Sequence, residues 1–70
     1  MIIIKLRSIL EQRVMTQSEL AKRTGIRPST ISDLCNNNAD FIKIDFFNRI
    51  LNVLKCGLND ILEYKDGDDL

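Results

Sequence analysis

The sequence predicts an all-α fold of five short helices, and three features carry that expectation. Apolar residues recur at helical spacing in successive segments of a 70-residue chain. Glycine, asparagine and proline punctuate the gaps between those segments. Thr16 and Glu19 stand at the spacing of a capping box just before one of them.

Size and composition bound the function. A chain this short makes one domain, which buries only about 60% of the surface its unfolded form exposes. That is too little core for a deep catalytic cleft. The chain has no histidine, no acid pair at a catalytic spacing and no glycine-rich phosphate loop, so an enzyme is not expected. Cys35 and Cys56 are too far apart for a CxxC pair and read as reduced thiols filling the core. No cofactor and no metal site are implied. Met1 to Ile4 is apolar but is followed at once by Lys5 and Arg7, far too short for a signal-peptide core or a membrane span. No targeting signal is visible, which favours the cytoplasm. Net charge is zero, yet its distribution is uneven. Residues 1–56 carry nine basic against five acidic side chains, or +4; residues 57–70 carry one against five, or −4. A basic module with an acidic tail follows, with residues 1–64 as the domain and 65–70 as a disordered end.

Helix 1 is expected from Leu6, Ile9, Leu10 and Val14, ending near Arg13. The preceding Ile2-Ile3-Ile4 has the β-propensity for a short N-terminal strand, which either packs on the core or pairs with a second chain. Helix 2 starts at the Thr16–Glu19 capping box, with Met15 and Leu20 as its hydrophobic staple. Gly25 ends it, where a positive φ closes the turn without strain. Pro28 opens helix 3 at the first helical position, leaving Arg27 as an N-cap with no acceptor, a lack that Ser29 and Thr30 can share in filling. Ile31 and Leu34 point inward; Ser29, Ser32 and Asp33 point outward. Asn36-Asn37-Asn38 reads as a loop, and Ile42-Lys43-Ile44 as extended chain. Asp45 then caps helix 4, with Phe46, Phe47, Ile50, Leu51 and Leu54 as its apolar stripe and Gly57 as its end. Leu58, Ile61 and Leu62 suggest a short helix 5, and Tyr64 closes the core edge.

Two short helices joined by a glycine-containing turn describe a helix-turn-helix. Ala21 is small where the helices meet closely, Gly25 follows four residues later, and Ile26, Ile31 and Leu34 complete the shared core. The stretch TQSELAKRTGIRPSTISDL resembles the helix-turn-helix of the phage-repressor-like (Cro-type, XRE) family of bacterial and phage transcription regulators. Residues 5 to 64 are similar to its small one-domain members, whose fold is lambda-repressor-like.

The resemblance implies a sequence-specific double-stranded DNA-binding regulator, a repressor by preference, that inserts helix 3, about Pro28 to Cys35, into the major groove. It implies a homodimer on a palindromic operator with half-sites about 34 Å apart. By position, Arg27, Pro28, Ser29, Ser32 and Asp33 face base edges, while Gln17, Arg23, Asn36, Asn38 and Lys43 meet or attract phosphates. Arg27 is the one side chain suited to guanine O6 and N7; Asp33 accepts from cytosine, and Pro28 offers apolar contact to a thymine methyl. The dimer interface is either the Ile run or the apolar face around helices 4 and 5. The alternative function is a protein-interaction module, an antitoxin or an antagonist of another regulator, favoured by zero net charge and a thin base-reading face.

Overall fold

Residue order alone places the turns, and the structure, a computed structural model describing residues 1–67, shows how the helices close on them. The elements are β1 (Ile2–Ile4), α1 (Leu6–Gln12), α2 (Gln17–Thr24), α3 (Pro28–Cys35), α4 (Ile44–Leu54), α5 (Leu58–Ile61) and β2 (Leu62–Tyr64). Among the described residues no helix is long and apolar enough to cross a membrane. Residues 68–70 of the expected acidic tail lie outside the described residues, while the backbone of Lys65 is bonded to that of Met1.

The α2–α3 corner forms as its residues dictate. Thr16 sits in extended backbone and its Oγ1 accepts from the Glu19 N–H at 3.0 Å. The reciprocal half of the expected capping box is not made, because the Glu19 carboxylate turns to Arg23 at 3.3 Å. Gly25 takes φ 75° and ψ 10° and closes α2 with a bond from its N–H to the Ala21 carbonyl. Thr24, buried, donates its hydroxyl to the Leu20 carbonyl at 2.7 Å and accepts the Ile26 N–H at 3.2 Å, which ties the helix end to the turn. Arg49 of α4 donates to the Thr24 carbonyl at 3.3 Å, a cation placed on the negative end of α2.

The core gathers Leu6, Ile9, Leu10, Leu20, Ala21, Ile26, Ile31, Leu34, Cys35, Ile50, Leu54 and Ile61. It therefore draws on all five helices and on the turn. Met15, Phe46, Phe47, Leu51 and Cys56 cover its margin, half-buried.

Several expectations change. Val14 does not join the α1 stripe: it stands at φ 53° and is 91% exposed, because the chain must reverse after Arg13 and has no glycine there to do it. Helix 4 starts earlier than expected, with Lys43 as N-cap and Ile44 already helical. Asp45 lies inside its first turn, where it pairs with Arg49 at 2.9 Å. Its end is closed by Lys55 at φ 53°, not by Gly57, whose φ of −91° makes it the N-cap of α5. Leu62 leaves helix 5 for β2, which pairs antiparallel with β1 in the register Ile2↔Tyr64, Ile3↔Glu63, Ile4↔Leu62. Tyr64 is consequently exposed on the ribbon and does not close the core. The Ile run thus finds its partner strand within the same chain.

Candidate nucleic-acid interface

Helix α3 is amphipathic by construction. With about 3.6 residues per turn, Ile31, Leu34 and Cys35 share one side and are all buried. Ser29, Ser32, Asp33 and Asn36 share the other; Ser29, Asp33 and Asn36 are exposed and Ser32 is half-buried. Pro28 occupies the first helical position with Arg27 before it in extended backbone, and both are exposed. No side chain caps this end, so the capping expected of Ser29 and Thr30 is not made. The exposed face therefore presents a guanidinium, a pyrrolidine ring, a hydroxyl and a carboxylate, with a second hydroxyl half-covered beside them.

The neighbouring elements flank that face. Gln17 is the first helical residue of α2 and is half-buried beside the capped turn. Arg23 lies in the last turn of α2, and its ion pair with Glu19 offsets its charge locally. A shallow concavity at the outer corner is lined by Ser18, Lys22, Gly25, Ile26, Arg27 and Pro28. A second, lined by Thr30, Phe41, Ile42, Lys43 and Phe46, runs between α3 and the start of α4. Lys43 is exposed there, with its ammonium 5.7 Å from the Phe46 ring centroid.

The asparagine loop divides into separate roles. Asn36 Oδ1 accepts from Arg7 and its Nδ2 donates to Ser32 Oγ at 3.4 Å, so its amide is engaged within the protein. Asn37, at φ 58°, bonds both backbone groups of Ile4: its Oδ1 accepts from the Ile4 N–H at 2.7 Å and its Nδ2 donates to the Ile4 carbonyl at 3.0 Å. Asn38 is exposed, its N–H bonded to the Asp33 carbonyl at 2.9 Å.

Arg7 is the residue that sequence reasoning missed. It comes from α1, 29 positions before Asn36 in the chain, and reaches the C-terminal end of α3. No local pattern announces such a contact. Below the same helix, burial raises the pKa of the Cys35 thiol above its ordinary value, against a smaller opposing effect of the Arg7 charge. Cys35 is therefore a protonated core filler and a poor nucleophile.

A helix that shows hydroxyls, one guanidinium and one carboxylate on its outward side, joined to a second helix through a left-handed glycine, has the form of an element that enters a duplex groove. Comparison with known proteins agrees with this geometry. A family model for the Cro/C1-type HTH DNA-binding domain matches residues 5–67. Over 68 residues the chain is 37% identical to the uncharacterized HTH-type transcriptional regulator YozG of Bacillus subtilis (strain 168), an alignment covering 97% of this chain and 81% of that protein. From the α2–α3 corner outward, then, the chain belongs to the Cro/C1-type helix-turn-helix family of DNA-binding transcription regulators.

Proposed function

We propose that this protein is a sequence-specific repressor in the cytoplasm, binding a palindromic operator as a homodimer with α3 of each copy in successive major grooves. Residues 1–64 form the binding unit in this reading, and the acidic end from residue 65 onward plays no part in base contact. The observation that supports it is the division of α3 into a buried face, Ile31, Leu34 and Cys35, and an outward face that starts at Arg27.

In this assignment Arg27, Pro28, Ser29, Ser32 and Asp33 meet base edges, with Arg27 as the bidentate reader of a guanine. Gln17, Asn38 and Lys43 meet phosphates, and Arg23 adds long-range attraction. Asn36 reaches the backbone in company with Arg7, to which it is bonded. Since only one of these side chains suits bidentate base reading, phosphate contacts carry most of the affinity.

The test is selection from random duplex DNA followed by binding titrations. Enrichment of an inverted repeat is expected, with Arg27→Ala costing about 1–3 kcal/mol and relaxing preference at one position of each half-site. If no repeat is enriched and long duplex DNA shows no salt-dependent binding, the proposal fails.

A further inference from the structure

Arg7 touches a side chain that in turn touches the outward face of α3. Its guanidinium donates to Asn36 Oδ1, and Asn36 Nδ2 donates to Ser32 Oγ at 3.4 Å. The direction of every bond in this relay is fixed by its first member. A guanidinium has donors only, so the Asn36 oxygen must turn to Arg7 and its amide nitrogen away. Residues four apart lie on the same face of a helix, which places Ser32 beside that nitrogen. The Ser32 oxygen must then accept. At 3.4 Å the bond is long and adds little energy; what it fixes is polarity.

The Ser32 proton is left over. A serine or threonine inside a helix often gives its proton to the carbonyl four residues back. Thr24 does this, donating to the Leu20 carbonyl at 2.7 Å. Ser32 makes no such bond, and among the described residues its hydroxyl proton has no acceptor. The side chain is half-buried on the outward side of α3, so water takes that proton in the free protein. A duplex that displaces the water must supply an acceptor, because an unpaired donor costs more than a made bond returns.

We propose that Arg7 and Asn36 hold Ser32 as a hydrogen-bond donor toward the major groove, so that Ser32 selects a base with an acceptor there and rejects cytosine. The inference deepens the DNA-binding reading and rests on it. In the major groove guanine shows N7 and O6, adenine N7 and thymine O4, whereas cytosine shows only its N4 donor. A cytosine beside Ser32 therefore sets donor against donor. A serine free to rotate would suit either kind of group and carry little sequence information. Asp33, next along α3, has the opposite polarity, since a carboxylate only accepts. Arg7 and Asn36 act through Ser32 and are positioning residues.

Selection from random duplex DNA with the full chain tests this, comparing wild type with Ser32→Ala, Asn36→Asp and Arg7→Met. Wild type is expected to disfavour cytosine about three- to tenfold at one position of each half-site. Ser32→Ala is expected to erase that bias and leave the other positions unchanged. Asn36→Asp is nearly isosteric and keeps an oxygen for Arg7, but it has no donor for Ser32. The serine then gives its proton to the aspartate and shows the base its lone pairs, so cytosine becomes the preferred base at that position. The added negative charge lowers affinity for all sequences alike and leaves this reversal readable. Arg7→Met frees the Asn36 amide to turn over and is expected to flatten the bias. If Arg7 serves only as a cation at the negative end of α3, its loss lowers the urea midpoint and leaves base preference intact, which would overturn the inference. An Asn36→Asp protein that still rejects cytosine, or a Ser32→Ala protein with the wild-type profile, would overturn it too. The relay is also checked without DNA. Nuclear Overhauser contacts from the Asn36 side-chain amide protons to the Ser32 β-protons are expected in wild type and lost in Arg7→Met; their absence from wild type refutes the relay. Wild type that enriches no site refutes the DNA reading, and the inference falls with it. Enriched sites together with any of the contrary variant results refute the inference alone.

Discussion

Replacing Gly25 by alanine is expected to destabilise the fold by about 1 kcal/mol, and replacing Val14 by glycine to stabilise it by about 0.5–1 kcal/mol. Gly25 stands at φ 75°, where an L-residue costs about 1–2 kcal/mol more than glycine. The added Cβ would meet nothing nearer than Arg49 Nη1 at 3.7 Å, an ordinary contact, so no steric cost is added. Alanine also narrows the unfolded ensemble, which returns about 0.4–1 kcal/mol. In so small a domain a net loss near 1 kcal/mol lowers Tm by about 4–8 °C. Val14 inverts every sign: a β-branched residue is held at φ 53° and is 91% exposed, so glycine relieves the backbone and sacrifices almost no packing. Thermal and urea unfolding followed by circular dichroism measure both shifts. Gly57→Ala is the control: its φ of −91° suits any residue, so the gain in the unfolded ensemble meets only alanine's poorer fit as the N-cap of α5, and the variant is expected to stay within about 0.5 kcal/mol of wild type. A Gly25→Ala protein as stable as wild type, or two variants shifting the same way, would show that positive φ does not govern these turns.

Four further outcomes are expected. Asn37→Ala removes both bonds to Ile4 and is expected to cost about 2 kcal/mol, with faster hydrogen exchange at the Ile4 amide. Thr24→Val, nearly isosteric, leaves the Ile26 N–H without its acceptor and is expected to cost about 1–2 kcal/mol in urea unfolding. Lys43→Ala is expected to weaken binding to every duplex alike and to reduce the slope of log K against log salt by about 1. Because burial raises the folded Cys35 pKa, the folded state holds the thiol proton more tightly than the unfolded state. Stability is then unaffected below the unfolded thiol range and falls as pH rises through it, a decline that Cys35→Ala is expected to flatten in urea midpoints measured against pH.

The candidate interface was readable in part because its determinants are local. Thr16 three residues before Glu19, Gly25 four after Ala21, and Pro28 at the first helical position each act through their own turn of backbone, and all three stand where local rules put them. The outward face of α3 follows from the same 3.6-residue period that buries Ile31 and Leu34. Arg7 could not be read this way, since its partner Asn36 lies far along the chain. The boundaries of α4 shifted for a milder reason: an aspartate is as well placed inside a first turn as before it, and a lysine can take the left-handed position where glycine was expected.

By itself the sequence determined five helices, their order, the left-handed corner at Gly25 and the side of α3 that faces out. Those depend on backbone conformation and apolar period, which neighbouring residues supply. Only the tertiary structure decided that Leu62–Tyr64 is a strand, that the Ile run pairs with it, and that Asn37 seals the far edge of that ribbon. A three-residue strand has no stability of its own. It exists because folding brings the two ends of the chain together and gives each backbone the hydrogen-bonding partner it lacks alone.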